Sequence, residues 1–395
     1  MSLVRVEVEK NIKNVAECNE EWREHMEFVV PTLMGLESFT ARELKRLGYE
    51  TKTEDGRVTF SGAVSDLCRA NMFLRTGERV LIKVAEFNAF SFEELFQNTK
   101  AVEWADYLDK DAAFPVKGHS LKSQLASVRD CQAIIKKAIA TKMSEKYSCE
   151  RLPEEGTLYQ IQFHIYKDRV TLMIDTSGEP LHKRGYRIKH NAAPLRETIA
   201  ASIVMLSYWK FEDILCDPFC GSGTIPIEAA MFKKNIAPGK NRHFAAEEFS
   251  FVEKSAFSKA REEAFSTERD LKLQILASDI DKDCIKIAQE SAENAGVLDD
   301  ITFKTQNALN FTSDFSGGTI MCNPPYGERL SDRKECEKLY SDFGKVFKNL
   351  DNWSMYLLTS NEGFENLFGK RADKKRKLYN GMIKCNLYQY FSKRK

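Results

Sequence analysis

Long apolar runs are missing from this 395-residue sequence. No uninterrupted stretch reaches the roughly 20 residues that a membrane-spanning helix needs. The opening segment MSLVRVEVEKNIKNVAECNEEWREH is charged throughout and has no apolar core of the kind a signal peptide carries. A cytoplasmic protein without membrane contact is expected. Excess charge is missing as well: 59 Lys and Arg against 58 Asp and Glu leave a formal net charge of +1. A polyanionic partner must therefore be met by local basic patches, because the field of the whole molecule supplies almost nothing. The ten cysteines contain no CxxC pair, and the nearest couple, Cys216 and Cys220, has no His or second Cys pair close by to complete a zinc site. Reduced thiols and no metal are the expectation. Internal repeats and biased tracts are also missing, so nothing points to a solenoid or a disordered arm.

What remains is a globular composition, 43% hydrophobic and 30% charged, in a chain too long for one typical domain. From Met26, EFVVPTLMGLESFTARELKRLGYE reads as a short strand, a turn with Pro31 and Gly35, and an amphipathic helix stopped by Gly48. TKTEDGRVTFSGA and ERVLIKVAEFNAF read as strands, SFEELFQNTKAVEWADYL and SVRDCQAIIKKAIATKMSEKY as helices. LYQIQFHIYKDRVTLMIDTSG reads as a hairpin turning at Lys167 and Asp168. This first half is a small α+β region. A basic connector beginning near Glu179 then leads into a helix near Pro194, a residue suited to a first helical turn. Beyond it strands and helices alternate (DILCD, LQILASD, ITFKTQ, GTIMC and SMYLLTS as strands), which means crossover units on a parallel sheet. The expected divisions are an extension 1–25, an α+β region 26–178 and an α/β domain 179–395.

Chemistry concentrates at three strand ends. After the first strand of the α/β domain comes DPFCGSGT, Asp217 to Thr224. Gly221 and Gly223 let backbone approach a ligand, and the following helix start favours an anionic group. The GxG spacing has no third Gly at the dinucleotide distance and no GK[ST] follows, so this is neither of those phosphate loops. The second strand ends in SDID, where Asp279 is placed for the two hydroxyls of a ribose and Asp281 reads as a helix N-cap. Gly loop and acid together fit a nucleoside with an anionic end, as in S-adenosylmethionine (SAM). The fourth strand ends in CNPPYGER. Two prolines stop a strand and stiffen the turn. There the Asn323 side-chain oxygen and the Pro324 carbonyl could each accept one N–H of a weakly nucleophilic exocyclic amine, with Tyr326 stacked on its ring.

DPFCGSGT, ASDID and NPPYGERL resemble the motifs of class I SAM-dependent methyltransferases acting on exocyclic amines. DTSGEPLHKRGYR, APLRETIAA and NIAPGKNRHFAAEEF are more narrowly similar to the bacterial 23S rRNA guanine-N2-methyltransferase family, whose members carry an N-terminal THUMP domain. The resemblance implies a Rossmann-like class I methyltransferase domain preceded by an α+β ferredoxin-like and THUMP RNA-binding module. It implies SAM as cofactor, held by Asp217, Phe219, Gly221, Gly223, Thr224, Asp279, Ile280, Asn307, Ala308 and Asn323, and closed over by APLRET, Pro194 to Glu197. Asn307 is a departure: the family usually has an acid facing the adenine there. Catalysis falls to Asn323, Pro324 and Tyr326, and the target strand to Pro325 and to Lys183, Arg184, Tyr186 and Arg187 in LHKRGYRIKH. Two further basic segments are the helix with Arg129, Lys136, Lys137 and Lys142, and KRADKKRK, Lys370 to Lys377. Because the pocket motifs all follow Glu179, the segment 179–395 is expected to bind SAM by itself. The expected partner is RNA, 23S rRNA in the first place, from a monomer or a dimer. Alternatives are the same reaction on tRNA, adenine methylation in DNA, amide methylation in a protein, or a non-catalytic RNA-binding assembly factor.

Overall fold

The computed structural model describes residues 23–187, 195–327, 330–381 and 383–392. Two seven-stranded sheets organise it. The first has the order β2-β3-β1-β4-β7-β6-β5, built from β1 (Met26–Pro31), β2 (Thr51–Glu54), β3 (Arg57–Gly62), β4 (Leu81–Asn88), β5 (Val116–Leu121), β6 (Ile161–Tyr166) and β7 (Arg169–Asp175). β5 and β6 run parallel. The other neighbours pair antiparallel. Lys167 and Asp168 have φ of 50° and 62°, the double positive φ that a two-residue hairpin needs to match strand twist. β5, the helix Val64–Phe73 and the helix Lys254–Ser266 were not among the expected elements.

The second sheet, β10-β9-β8-β11-β12-β14-β13, comprises β8 (Leu215–Asp217), β9 (Ile275–Asp279), β10 (Ile301–Thr305), β11 (Gly318–Cys322), β12 (Trp353–Thr359), β13 (Lys374–Asn380) and β14 (Ile383–Tyr390). The first five in chain order are mutually parallel, and β14 enters antiparallel between β12 and β13. All five residues of β11 are buried, as expected of a strand covered on both faces. One face packs against the helices Glu197–Leu206, Thr224–Lys233 and Lys282–Asn294, the other against Leu330–Lys348 and Phe364–Phe368. The strand order reverses between β8 and β11, so ligands have a crevice at the carboxyl ends of those two strands. β13 carries the second half of the KRADKKRK charge run, with Lys374, Lys375 and Lys377 exposed on it. Lysines of this kind protect an edge strand from pairing with another chain.

The two halves share a core. Phe244, Phe249, Phe251 and Phe257, all beyond Glu179, belong to the same apolar cluster as Phe28, Leu67, Trp104 and Phe163. Phe249 stacks on Tyr159 with ring centroids 4.3 Å apart. Arg69 grips the Glu263 carboxylate with two hydrogen bonds of 2.8 Å. Excision of the segment 179–395 would leave these rings bare.

Candidate functional site

β8 delivers Asp217 to the crevice, where it is 1% exposed. Its Oδ1 accepts the Phe219 N–H at 3.1 Å. Burial pushes this carboxyl well above the ordinary range; the Phe219 bond opposes the rise and the negative Asp279 nearby adds to it. A cationic ligand group such as an α-ammonium would reverse that balance. Gly221 sits at φ +51° and donates its N–H to Asp279 Oδ2 at 2.9 Å. Gly223, at φ +81°, begins the helix Thr224–Lys233, and a Cβ there would come within 3.0 Å of the Ala288 Cβ. The loop is therefore both left-handed and tightly backed, which only glycine satisfies at little cost.

Asp279 also accepts the Asp281 N–H at 3.0 Å. Each of its oxygens thus holds one backbone N–H and retains acceptor capacity for a ribose hydroxyl. Asp281 caps the next helix through the N–H groups of Asp283 and Cys284, as its position indicated. Ile280 is 70% exposed beside these groups, an apolar surface of the kind that a purine ring covers. The donors, acceptors and apolar surface present at this loop fit SAM. The Asn307 side-chain oxygen caps the turn Ala308–Asn310 by accepting the Leu309 N–H at 2.9 Å and keeps a second lone pair. Ala308 is buried in the core.

At the end of β11, Asn323 is half-buried, Pro324 buried and Pro325 exposed. The Pro325 carbonyl accepts the Tyr340 hydroxyl at 2.7 Å, and that hydroxyl lies 2.9 Å from Thr359 Oγ1. Tyr340, on the helix Leu330–Lys348, thus braces the turn against the end of β12, a role that sequence separation hid. Tyr326 does not stand free as a stacking platform. Its hydroxyl donates to Asn323 Oδ1 and its ring packs against the cluster holding Leu378 and Cys385. Burial raises that phenol well above its ordinary value, with Cys385 adding to the rise, so it remains a donor. Tyr326 also lines an open cleft of about 570 Å³ together with Arg333, Glu337, Ser360, Asn361, Glu362 and neighbouring residues. Ser360 to Gly363 were missed in the sequence, although their place just after β12, at the same sheet edge, was a usable signal.

The basic connector is corrected most. Arg184 is 3% exposed; its Nε lies 3.3 Å from Glu228 Oε1, and it donates to the carbonyls of Leu181 at 2.7 Å and Arg75 at 2.6 Å. Tyr186, also 3% exposed, places its hydroxyl 3.3 Å from the same Glu228 oxygen. Neither can meet RNA. Both satisfy a buried carboxylate on the helix behind the Gly loop. Arg187 donates to the Thr224 hydroxyl and stands 3.3 Å from Glu197 Oε1. It braces two helix starts against each other instead of facing a target strand. Lys183 is exposed and pairs with Glu179. Of the APLRET motif, Leu195 to Thr198 fall within the described residues.

The remaining basic segments are largely engaged. Lys136 pairs with Glu154 at 2.7 Å and Lys142 with Glu103 at 2.6 Å. Lys375 pairs with Glu365 at 2.7 Å, and Arg376 lies 4.6 Å from the Phe39 ring centroid and donates to the Gly35 carbonyl at 2.7 Å. Among the described residues no group of three or more His, Cys, Asp or Glu could hold a metal, and no helix is long and apolar enough to cross a membrane.

A sheet with its order reversal at β8 and β11, a glycine loop backed by an acid, and an NPPY turn at the next strand end define a class I SAM-dependent methyltransferase. Residues 184–389 match the family described as "RMKL-like, methyltransferase domain", residues 27–81 an "RlmL ferredoxin-like domain" and residues 89–175 a THUMP domain. The chain belongs to this family of methyltransferases with ferredoxin-like and THUMP N-terminal domains. It is 47% identical over 363 residues to a Bacillus subtilis (strain 168) protein named "Putative RNA methyltransferase YpsC", covering 91% of this chain and 94% of that one. It is 32% identical over 376 residues to the "Ribosomal RNA large subunit methyltransferase K/L" of Psychromonas ingrahamii, covering 92% of this chain and 50% of that protein. The chain thus spans about half the length of the K/L enzyme. The crystal structure of SMU.472 complexed with SAH superposes with a TM-score of 0.89 at 40% identity, covering 94% of this chain and 99% of that one.

Proposed function

We propose that this protein transfers a methyl group from SAM to the exocyclic N2 amine of a guanine in 23S rRNA, in the cytoplasm, using residues 179–395 for the chemistry and 26–178 to hold RNA. The observation that carries the reading is the NPPY turn at the end of β11, braced by Tyr340 and bordering the 570 Å³ cleft. SAM would supply an electrophilic methyl: the amine nitrogen forms a bond to it as the bond to the sulfonium sulfur breaks, SAH leaves, and the extra proton on nitrogen passes to water. Asn323 Oδ1 and the Pro324 carbonyl accept the two amine N–H groups, which aims the nitrogen lone pair and stabilises the positive charge that grows on it. Tyr326 holds Asn323 by its hydroxyl and borders the cleft that receives the base. Asp217 takes the ammonium of the cofactor and Asp279 its ribose. Holding two reactants in attack geometry contributes about 7–11 kcal/mol to lowering such a barrier, so no strong base is needed. The ribosomal reading is favoured over tRNA because the K/L relative, named for large-subunit rRNA, aligns over 92% of this chain.

The test joins location and chemistry. Mass mapping of rRNA and tRNA from a deletion strain should show loss of one N2-methylguanosine in 23S rRNA, restored by the wild-type gene and not by Asn323→Ala. Single-turnover methylation should be about a hundredfold slower in Asn323→Ala, by analogy with loss of one oxyanion-hole donor, at SAM concentrations high enough to saturate the variant as well. A near-normal rate would reduce the NPPY sequence to a structural turn. An unaltered 23S rRNA with a missing tRNA methyl would move the reaction to tRNA.

A further inference from the structure

One face of the first sheet is covered by the helices Phe92–Lys100 and Val128–Tyr147, which pack on the apolar side of β5, β6 and β7. On the opposite face the parallel pair β5 and β6 aligns Lys117 with Gln162, His119 with His164, and Leu121 with Tyr166. The rings form a row. His119 and His164 have centroids 4.6 Å apart, and His164 and Tyr166 lie 6.3 Å apart with planes only 5° from parallel. Arg57 Nη1 reaches across the sheet to within 3.4 Å of His164 Nδ1, so the row is set in position from the ferredoxin-like unit. Tyr166 is 42% and Leu121 55% exposed, more than a sheet face ordinarily leaves to water.

Cations predominate around the row, with Glu54 as a counter-charge that pairs with Arg57 and also acts on His164. Lys117, Lys122 and Lys167 are exposed and make no ion pair among the described residues. Lys167 lies 5.4 Å over the Tyr166 ring. Lys122 and Lys167 sit at adjoining strand ends, where the Lys167 N–H donates to the Leu121 carbonyl at 3.2 Å and Asp168 takes the Ser123 hydroxyl and the Gln124 N–H. Asp168 Oδ1 is thus engaged within its own turn. On the helical side, by contrast, Lys136 and Lys142 already have carboxylate partners. Burial, with the neighbouring His119 and Arg57 charges and against the pull of Glu54, holds His164 down to about 4, so at neutral pH its ring is a flat uncharged surface.

We propose that the ring row His119, His164 and Tyr166, rimmed by Lys117, Lys122 and Lys167, is a docking surface for single-stranded RNA, its bases stacked on the rings and its phosphates on the lysines. The inference rests on the reading of this chain as an RNA methyltransferase and moves the RNA contact of the THUMP region from its basic helix to the open sheet face. Flat side chains beside unpaired cations are what a sequence-tolerant single-strand site requires, because every base has a stacking face and every nucleotide a phosphate. Two parallel rings 6.3 Å apart also span about two base-stacking steps of roughly 3.4 Å.

The experiment uses the full chain and a fluorescein-labelled 12-nucleotide single-stranded RNA of mixed sequence, with a 12-base-pair RNA duplex as comparison, read by anisotropy at several salt concentrations. Calorimetric SAH binding serves as the fold control. Tyr166→Ala should weaken single-strand binding about 5- to 100-fold, the worth of one base–aromatic stack, with Tyr166→Phe near wild type and SAH affinity unchanged. Lys117→Ala and Lys122→Ala should each flatten the salt dependence by about 0.7 in log–log slope. Helix-side Lys136→Ala should do neither. Wild-type affinity in Tyr166→Ala, or loss in both Tyr166→Ala and Tyr166→Phe, would overturn the stacking surface. A dimer that dissociates in Tyr166→Ala would assign the face to a second copy of the chain and also overturn it. A wild-type protein that binds neither RNA would instead count against the RNA-methyltransferase reading itself.

Discussion

Cutting the chain before Glu179 should destroy the methyltransferase half, even though the pocket motifs lie wholly within it. Phe244, Phe249, Phe251 and Phe257 are between 0% and 5% exposed in the intact chain, and each such ring buries about 150–250 Å². If half of that area faces the N-terminal half, about 400 Å² of apolar surface is bared by the cut. At about 25 cal/mol per Å² this is roughly 10 kcal/mol, an upper estimate because unfolded chains are partly compact. A typical domain has about 5–15 kcal/mol in all. The cut also removes the Arg69 grip on Glu263, the Arg75 bond to the Ile236 carbonyl at 2.7 Å, and the backbone bonds from Gly239 to Met72 at 2.9 Å and from Ala246 to Thr176 at 3.0 Å. A 179–395 fragment should therefore elute as an aggregate, bind a hydrophobic dye and take up no SAH by calorimetry, and co-expression with residues 1–178 should restore a soluble complex. A monodisperse, dye-negative fragment with full SAH affinity would refute the shared-core reasoning.

Glu228→Gln should destabilise the whole chain by about 3–5 kcal/mol, since it leaves the buried Arg184 without a countercharge; an unchanged urea midpoint would mean that the carbonyls of Leu181 and Arg75 suffice. Asp279→Ala should weaken SAH binding about 10- to 100-fold through lost hydroxyl bonds to a charged acceptor, and it should also lower thermal stability, because the Gly221 and Asp281 N–H groups lose their acceptor. Tyr326→Phe should slow single-turnover methylation by about 2- to 13-fold, the net worth of one hydrogen bond, and a wild-type rate would show that Asn323 needs no such restraint. The folded His164 value near 4 lies below its ordinary 6.5, so the unfolded chain binds the extra proton between those values. Its contribution to stability is complete above pH 6.5 and is lost as pH falls toward 4; urea midpoints at pH 7 and pH 5 should differ less in His164→Phe than in wild type.

The sequence by itself determined the parallel sheet, the three strand ends that carry chemistry and the hairpin at Lys167 and Asp168. These are local in origin: glycines at positive φ, prolines that stop a strand, and apolar runs whose period matches their element. The cap at Asp281 was legible for the same reason, since donor and acceptor are two residues apart. Tertiary structure alone decided which charges are buried. Arg184 and Arg187 look like a surface patch in LHKRGYRIKH, and only the approach of Glu228 and Glu197, 44 and 10 residues away in the chain, turns them into internal supports. It likewise decided that four phenylalanines of the catalytic half complete the core of the other half, and that Tyr340 and Thr359 brace the NPPY turn. The ring row on β5 and β6 has the same origin, because His119 and His164 become neighbours only when two parallel strands pair in register. Sequence pattern records what a residue and its near neighbours prefer, whereas burial and charge pairing depend on groups that meet only after the chain has closed.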